Sequence, residues 1–125
     1  MNIDKCRILK FPKITDERGN LFFMEAGKHV PFDIKRVYYM SGIPHGSTRG
    51  GHSNPATEHV IIALNGQFTV RLREGKAEKT IVLDNPDQGL YIAKGIWHRI
   101  ENAAQDSIVL VLASTLYDEK DYARN

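Results

Sequence analysis

Short extended runs, cut at tight intervals by turn formers, constrain this chain more than any other feature. The runs 20–26 (NLFFMEA), 34–40 (IKRVYYM), 59–64 (HVIIAL), 67–73 (QFTVRLR), 79–83 (KTIVL), 90–93 (LYIA), 97–101 (WHRIE) and 107–113 (SIVLVLA) are rich in β-branched and aromatic residues. Between most of them lie Asp33, Gly42, Asn65-Gly66, Glu74-Gly75, Asp84-Asn85-Pro86 and Gly95. No segment holds apolar spacing of three and four over a dozen residues, and only 116–124 (LYDEKDYAR) has room for a helical turn or two. The pattern predicts one all-β domain over 1–125, a closed barrel or two-sheet jelly roll.

Two details refine that expectation. Phe68, Val70 and Leu72 alternate with Gln67, Thr69, Arg71 and Arg73, which predicts a strand with one wet face. Asn65-Gly66 before that strand is a hairpin signal, because both residues tolerate positive φ. By contrast Val60 to Leu64 and Val109 to Leu112 are unbroken apolar runs, the mark of strands covered on both faces. A third layer, or a second subunit laid over one sheet, would cover them. A chain of 125 residues buries only about two-thirds of its unfolded surface, so a homodimer would also stabilise it.

Composition narrows the function classes. Seventeen Lys and Arg against fifteen Asp and Glu give a formal charge of +2, too small and too evenly spread to predict nucleic-acid or membrane binding. No apolar run reaches the roughly 18 residues of a membrane span, and Met1-Asn2-Ile3-Asp4-Lys5 lacks the layout of a signal peptide. A lone cysteine, Cys6, rules out an intramolecular disulfide framework and fits a reducing cytoplasm. Far in sequence from the polar motifs, it reads as inert.

The histidines carry the chemistry. His52 lies in Arg49-Gly50-Gly51-His52-Ser53-Asn54, and His98 in Gly95-Ile96-Trp97-His98-Arg99-Ile100-Glu101-Asn102. Residues two apart on a strand share a face, so His52 and Asn54 are expected to point the same way. Inward polar groups need partners, since an unpaired one costs on the order of 1–3 kcal/mol. His59 begins a strand beside Glu58 and reads as a structural or interface residue, and His29 and His45 read as solvated loop residues.

These stretches carry a resemblance. Gly46, His52-x-Asn54, Glu58 and Gly66 are similar to the first cupin motif, and Gly95-x-x-His98-x-x-x-Asn102 to the second. Asn54 departs from it where the motif has a histidine, and Glu58 is one residue farther from Gly66 than usual. A narrower likeness spans nearly the whole chain. It runs through Phe11-Pro12-Lys13-Ile14, Asp16-Glu17-Arg18-Gly19, Val30-Pro31-Phe32, Ile34-Lys35-Arg36-Val37-Tyr38-Tyr39, Arg49-Gly50-Gly51-His52, Leu64-Asn65-Gly66, Gly89-Leu90-Tyr91, Ile96-Trp97-His98, Val111-Leu112-Ala113-Ser114 and Tyr117-Asp118-Glu119-Lys120-Asp121-Tyr122. In this order these runs resemble the sugar-nucleotide 3,4-ketoisomerases, the WxcM-like branch of the cupins.

The resemblance implies a cupin (double-stranded β-helix) jelly roll, dimeric with shared or swapped strands. It also implies action on a dTDP-4-keto-6-deoxyhexose, moving the keto group from C4 to C3 ahead of transamination to a 3-amino-3,6-dideoxy sugar. No metal or organic cofactor is required in principle, because the ketone acidifies its neighbour. What is required is a base titrating near neutrality and donors for the enediolate oxygens. The family's proton-handling histidine pair maps onto His52 and Asn54, so His52 is the expected base, with His98 or Tyr38 assisting. An amide cannot carry a proton between carbons, so Asn54 is expected to donate a hydrogen bond to an enediolate oxygen. Arg18 and His98 occupy positions that vary with the C4 configuration of the product, and their combination resembles members making the galacto-configured 3-keto sugar. Arg36 and Arg49 match positions near the nucleotide, where arginine suits a diphosphate, and Tyr38 and Tyr39 offer a stacking surface or hydroxyl.

Two other readings stand beside the isomerase. Loss of the second histidine is compatible with a non-catalytic or altered-specificity sugar-nucleotide binder. A metal-dependent cupin would instead use His52, Glu58 and His98 as ligands.

Overall fold

The computed structural model describes residues 1–124. Eleven strands form in chain order: β1 (Arg7–Lys10), β2 (Lys13–Asp16), β3 (Gly19–Phe22), β4 (Arg36–Met40), β5 (Arg49–His52), β6 (His59–Asn65), β7 (Phe68–Glu74), β8 (Ala77–Leu83), β9 (Gln88–Ile92), β10 (Trp97–Glu101) and β11 (Ile108–Ala113). Helical structure among the described residues amounts to single 3₁₀ turns at Asn2–Lys5 and Glu119–Asp121. The expected all-β fold is thus observed, and β1, β2 and β5 are strands that the sequence pattern did not single out.

Two antiparallel sheets face one another. One has the order β1-β9-β6-β11-β4 and the other β5-β10-β7-β8, while β2 and β3 pair separately as a hairpin. Cross-strand partners share a face. The register therefore sets His59, Ile61 and Ala63 of β6 in line with Ala113, Val111 and Val109 of β11, and those with Arg36, Tyr38 and Met40 of β4. On the opposing sheet, His52 pairs with His98, His98 with Leu72, and Ile100 with Val70. Phe68, Val70 and Leu72 are all buried, while the alternate residues of β7 are partly exposed, as the sequence alternation predicts. On that wetter face Arg71 and Arg99 both bond Glu101.

The Asn65-Gly66 hairpin expectation is corrected by the register. β6 bonds to β9 and β11, and β7 to β8 and β10, so this turn carries the chain from one sheet to the other. Both flanking strands have an apolar face, and crossing between sheets brings those faces onto one core. Gly66 has φ +74, and a Cβ there would come within 2.9 Å of the Ser107 Cα. The tight two-residue hairpins fall at Glu17-Arg18, closing Asp16 onto Gly19, and at Gly75-Lys76, closing Glu74 onto Ala77.

Most of the two unbroken apolar runs is covered by the chain itself, while Leu64 near the end of β6 stays 48% exposed. On the outer face of the five-stranded sheet, Val60 pairs with Tyr91, and the Phe32 ring lies 6.4 Å from that of Tyr91. A Cβ on Gly89 would fall 2.7 Å from both the Phe11 ring and a Val60 methyl. Phe11, Val30 and Phe32 are buried with Val60 and Ile62 in one cluster, a third layer built from the N-terminal third.

Candidate active site

A cavity of about 230 Å³ opens between the sheets, lined by Tyr38, Met40, Arg49, Gly50, His52, His59, Ile61, His98, Ile100, Val111 and Tyr122. Its apolar floor follows from strand alternation: Ile61 and Val111 on one sheet and Ile100 on the other are the inward residues of strands whose neighbours point out. The polar lining is therefore the unusual part, and three imidazoles dominate it. The His52 and His98 ring centroids are 5.2 Å apart, and those of His98 and His59 are 5.3 Å apart. They form a row across the cavity from β5 through β10 to β6.

The three rings differ in environment. His98 is buried, and its Nδ1 lies 3.0 Å from the Ile96 carbonyl oxygen. A carbonyl only accepts, so Nδ1 carries the proton and Nε2 is left as the acceptor when the ring is neutral. Burial pushes the His98 pKa down to about 4 despite that bond, with His52 lowering it further. His59 is pushed down to about 3 by burial, then by His98, Arg36 and His52. His52 is half-buried, and burial and Arg124 lower its pKa as well. At neutral pH all three rings are predominantly neutral, and His52 is the one with most access to solvent.

Tyr38 and Arg49 complete the polar lining. Burial, and then Tyr122, raise the Tyr38 pKa, with Arg36 and Arg49 opposing, so the phenol keeps its proton and can donate. Arg36 is beside the cavity on the same face of β4, its guanidinium 5.5 Å from the Tyr38 ring centre and 5.8 Å from that of Tyr117. Its Nε is buried and makes no hydrogen bond among the described residues.

Asn54 and Arg18 are placed elsewhere. The Asn54 amide nitrogen donates to the Asp121 carbonyl at 2.7 Å, and its side chain is outside the cavity lining. It belongs to a clamp on the C-terminal segment. Ser53 and Ala123 exchange backbone bonds of 2.7 and 2.9 Å. The Asp121 carboxylate accepts from the Ala56 amide at 2.7 Å and from the Thr57 hydroxyl. The clamp sets the Tyr122 ring 4.7 Å from His52, making it a wall of the cavity. Arg18, at the tip of the β2–β3 hairpin, pairs with Asp16 at 2.7 Å and does not line the cavity of its own chain.

Glu58, a ligand in the metal-dependent reading, faces the other way. Its carboxylate accepts from the Tyr91 hydroxyl at 2.6 Å and borders a separate hollow with Asn2, Lys5 and Lys94. Among the described residues no group of three or more His, Cys, Asp or Glu side chains is placed to hold a metal. His59 and Tyr122 are the cavity residues with polar groups that sequence reasoning missed. The register puts His59 in phase with the inward Ile61 and Ala63, but the apolar run it precedes gives no local sign of which face is inward.

Opposed antiparallel sheets enclosing an imidazole-lined cavity define a cupin, a class that hosts many activities. Comparison with known proteins narrows it: the family model described as "FdtA: WxcM-like, C-terminal" matches residues 4–125, and the chain belongs to that family. It is 41% identical over 118 residues, 94% of this chain and 85% of the relative, to the TDP-4-oxo-6-deoxy-α-D-glucose-3,4-oxoisomerase of Aneurinibacillus thermoaerophilus. Among solved structures it is similar to a double mutant of the QdtA 3,4-ketoisomerase from Thermoanaerobacterium thermosaccharolyticum in complex with TDP. That match has a TM-score of 0.93 and 43% identity, covering 96% of this chain and 87% of the other. The WlaRB TDP-quinovose 3,4-ketoisomerase of Campylobacter jejuni matches with a TM-score of 0.92 and 42% identity, over 96% and 92% of the two chains. No helix among the described residues is long and apolar enough to cross a membrane.

Proposed function

We propose that this chain is a sugar-nucleotide 3,4-ketoisomerase that converts dTDP-4-keto-6-deoxyglucose to the 3-keto isomer, as its relatives' names suggest. The observation that carries the reading is the pairing of His52 with His98 across β5 and β10 in an open cavity, both rings uncharged at neutral pH. His52, the most accessible and least perturbed of the three, removes the C3 proton and returns it to C4. Such a base contributes about 10²–10⁴-fold. His98, fixed by Ile96, presents Nε2 to the sugar, and the Tyr38 hydroxyl donates to an enediolate oxygen. Arg49 at the mouth, with Arg36 behind Tyr38, faces the diphosphate. Asn54 acts through the clamp that sets Tyr122. The reaction needs no metal or organic cofactor in principle, and a 3-keto product suits a transaminase making a 3-amino-3,6-dideoxyhexose.

The working form in this reading is a cytoplasmic homodimer of single cupin domains spanning 1–125. The β2–β3 hairpin supports it: Ile14 and Leu21 pair across the hairpin, yet are 57% and 55% exposed. Swapped onto a second copy, the hairpin would hide that pair and carry Arg18 toward the partner's cavity, where with His98 it would favour the galacto-configured product.

Proton NMR of the protein with dTDP-4-keto-6-deoxyglucose in D₂O tests the reaction. Appearance of a 3-keto sugar with loss of the original C3 proton signal is expected, and the C4 coupling reads out the configuration. Binding without conversion or exchange would instead make the chain a sugar-nucleotide binder.

A further inference from the structure

Moving a ketone by one carbon takes two proton transfers. One proton goes from C3 to C4, and another goes from the oxygen on C3 to the oxygen on C4. His52 accounts for the first. The adjacent oxygens of the enediolate can exchange the second directly, and a cavity group that touches them and can both give and take a proton speeds that exchange. His98 has one ring nitrogen committed to Ile96, and Asn54 is outside the lining with its amide committed to Asp121.

His59 is different. It lines the cavity from the sheet opposite His52. It is 2% exposed, yet neither ring nitrogen has a hydrogen-bond partner among the described residues, and the residue lines the cavity. A histidine in a core normally satisfies its ring nitrogens with protein groups. Here Ala113 and Ile92, its neighbours on both sides in the sheet, bring only small or apolar side chains.

We propose that His59 is a catalytic residue of this isomerisation, the group that carries the hydroxyl proton from O3 to O4. The proposal rests on the ketoisomerase reading above. In the forward direction His52 takes the C3 proton, and the C3–H electron pair becomes the C3=C4 bond while the C4 carbonyl pair moves to O4. The His59 N–H then gives its proton to O4, leaving imidazolate beside a neutral enediol. The imidazolate takes the proton of O3, and that oxygen's pair forms the C3 carbonyl as protonated His52 delivers its proton to C4. Both histidines end as they began, and no oxidant or co-reactant is consumed. Burial keeps the ring from holding a second proton, so it meets the enediolate as a neutral N–H donor, and the nearby Arg36 charge offsets the cost that burial puts on a transient imidazolate.

The test compares wild type, His59→Gln and His59→Asn with dTDP-4-keto-6-deoxyglucose in D₂O, following conversion and loss of the C3 proton together. Affinity for dTDP serves as the check on folding. Both amides keep a donor for O4 but cannot surrender its proton. The expected result is a kcat at least about 100-fold lower with dTDP affinity within about threefold. The ratio of C3 exchange to conversion is expected to rise at least about tenfold, because His52 still opens the C3–H bond while the enediolate waits. A structural role would lower exchange and conversion together, and that outcome overturns the proposal. So does a variant with kcat within about threefold of wild type, or equal losses of kcat and dTDP affinity in both variants, and each leaves the ketoisomerase reading intact. Wild type that binds dTDP but converts nothing would overturn that reading and this role with it.

Discussion

At the scale of single residues, His52 and His98 share a cavity but not an environment. The accessible ring is the better base, since the buried one is held neutral down to about pH 4. His52→Ala should lower kcat by about 10²–10⁴-fold, with dTDP affinity and thermal stability close to wild type because the side chain is only half-buried. A steady-state assay with a melting curve decides it, and unchanged turnover would remove His52 as the base. Burial and Arg124 both lower the His52 pKa. The acid limb of kcat/KM should therefore fall below pH 6.5, with a plateau through neutrality, and a limb at or above 6.5 would contradict that environment. His52 and His98 were legible because each lies in a short polar motif. His59 was not, because it opens a run, Val60 to Leu64, in which every residue is apolar. Such a run discloses burial on both faces without saying which face holds the cavity.

Among the elements, the C-terminal segment was the hardest to read. Residues 116–124 resemble a helical turn by composition, and part of them, Glu119–Asp121, does form a 3₁₀ turn. What fixes the segment is long-range: the Asn54 amide, the Ala56 N–H and the Thr57 hydroxyl all bond Asp121. No local pattern in 116–124 encodes partners more than sixty positions away. Asp121→Ala should therefore cost about 1–3 kcal/mol, the range for stranding buried polar groups. It should also raise KM more than it lowers kcat, because Tyr122 loses its place against His52 while the imidazoles keep theirs. Denaturant midpoints and initial rates on the one variant check both halves. A variant as stable as wild type would mean the segment is held by other contacts. The Asn65-Gly66 turn shows the complementary limit. Its preference for positive φ was legible and is realised at Gly66, but a local preference does not say whether the next strand pairs beside the last or crosses to the facing sheet.

For the whole molecule, the third layer and the buried imidazoles both put the cavity's chemistry under the control of folding. The sequence disclosed that β6 and β11 are largely covered, and much of the cover proved to be Phe11, Val30 and Phe32 from the same chain, with Leu64 left exposed. Gly89 is where that layer approaches most closely, with the Phe11 ring and a Val60 methyl each 2.7 Å from a would-be Cβ. Gly89→Ala should destabilise by about 1–3 kcal/mol through overpacking, read from the urea midpoint, and no shift would mean the layer yields freely. The imidazoles set a pH dependence whose sign is fixed. His59 and His98 have folded pKa values near 3 and 4 against 6.5 when unfolded. The unfolded chain therefore binds more protons between those limits, and stability falls as pH drops below 6.5. Between pH 7.5 and 5.5 the two rings together lose on the order of 3 kcal/mol of their contribution. At roughly 4 °C per kcal/mol for a chain of this size, the melting temperature should drop by roughly 10 °C over that interval. His59→Gln removes one of the two titrations, so its drop should be smaller by roughly 5 °C. Paired melting curves of wild type and variant at the two pH values isolate this difference from every group they share. Equal drops would mean that His59 is hydrated and titrates as freely in the folded protein as in the unfolded chain.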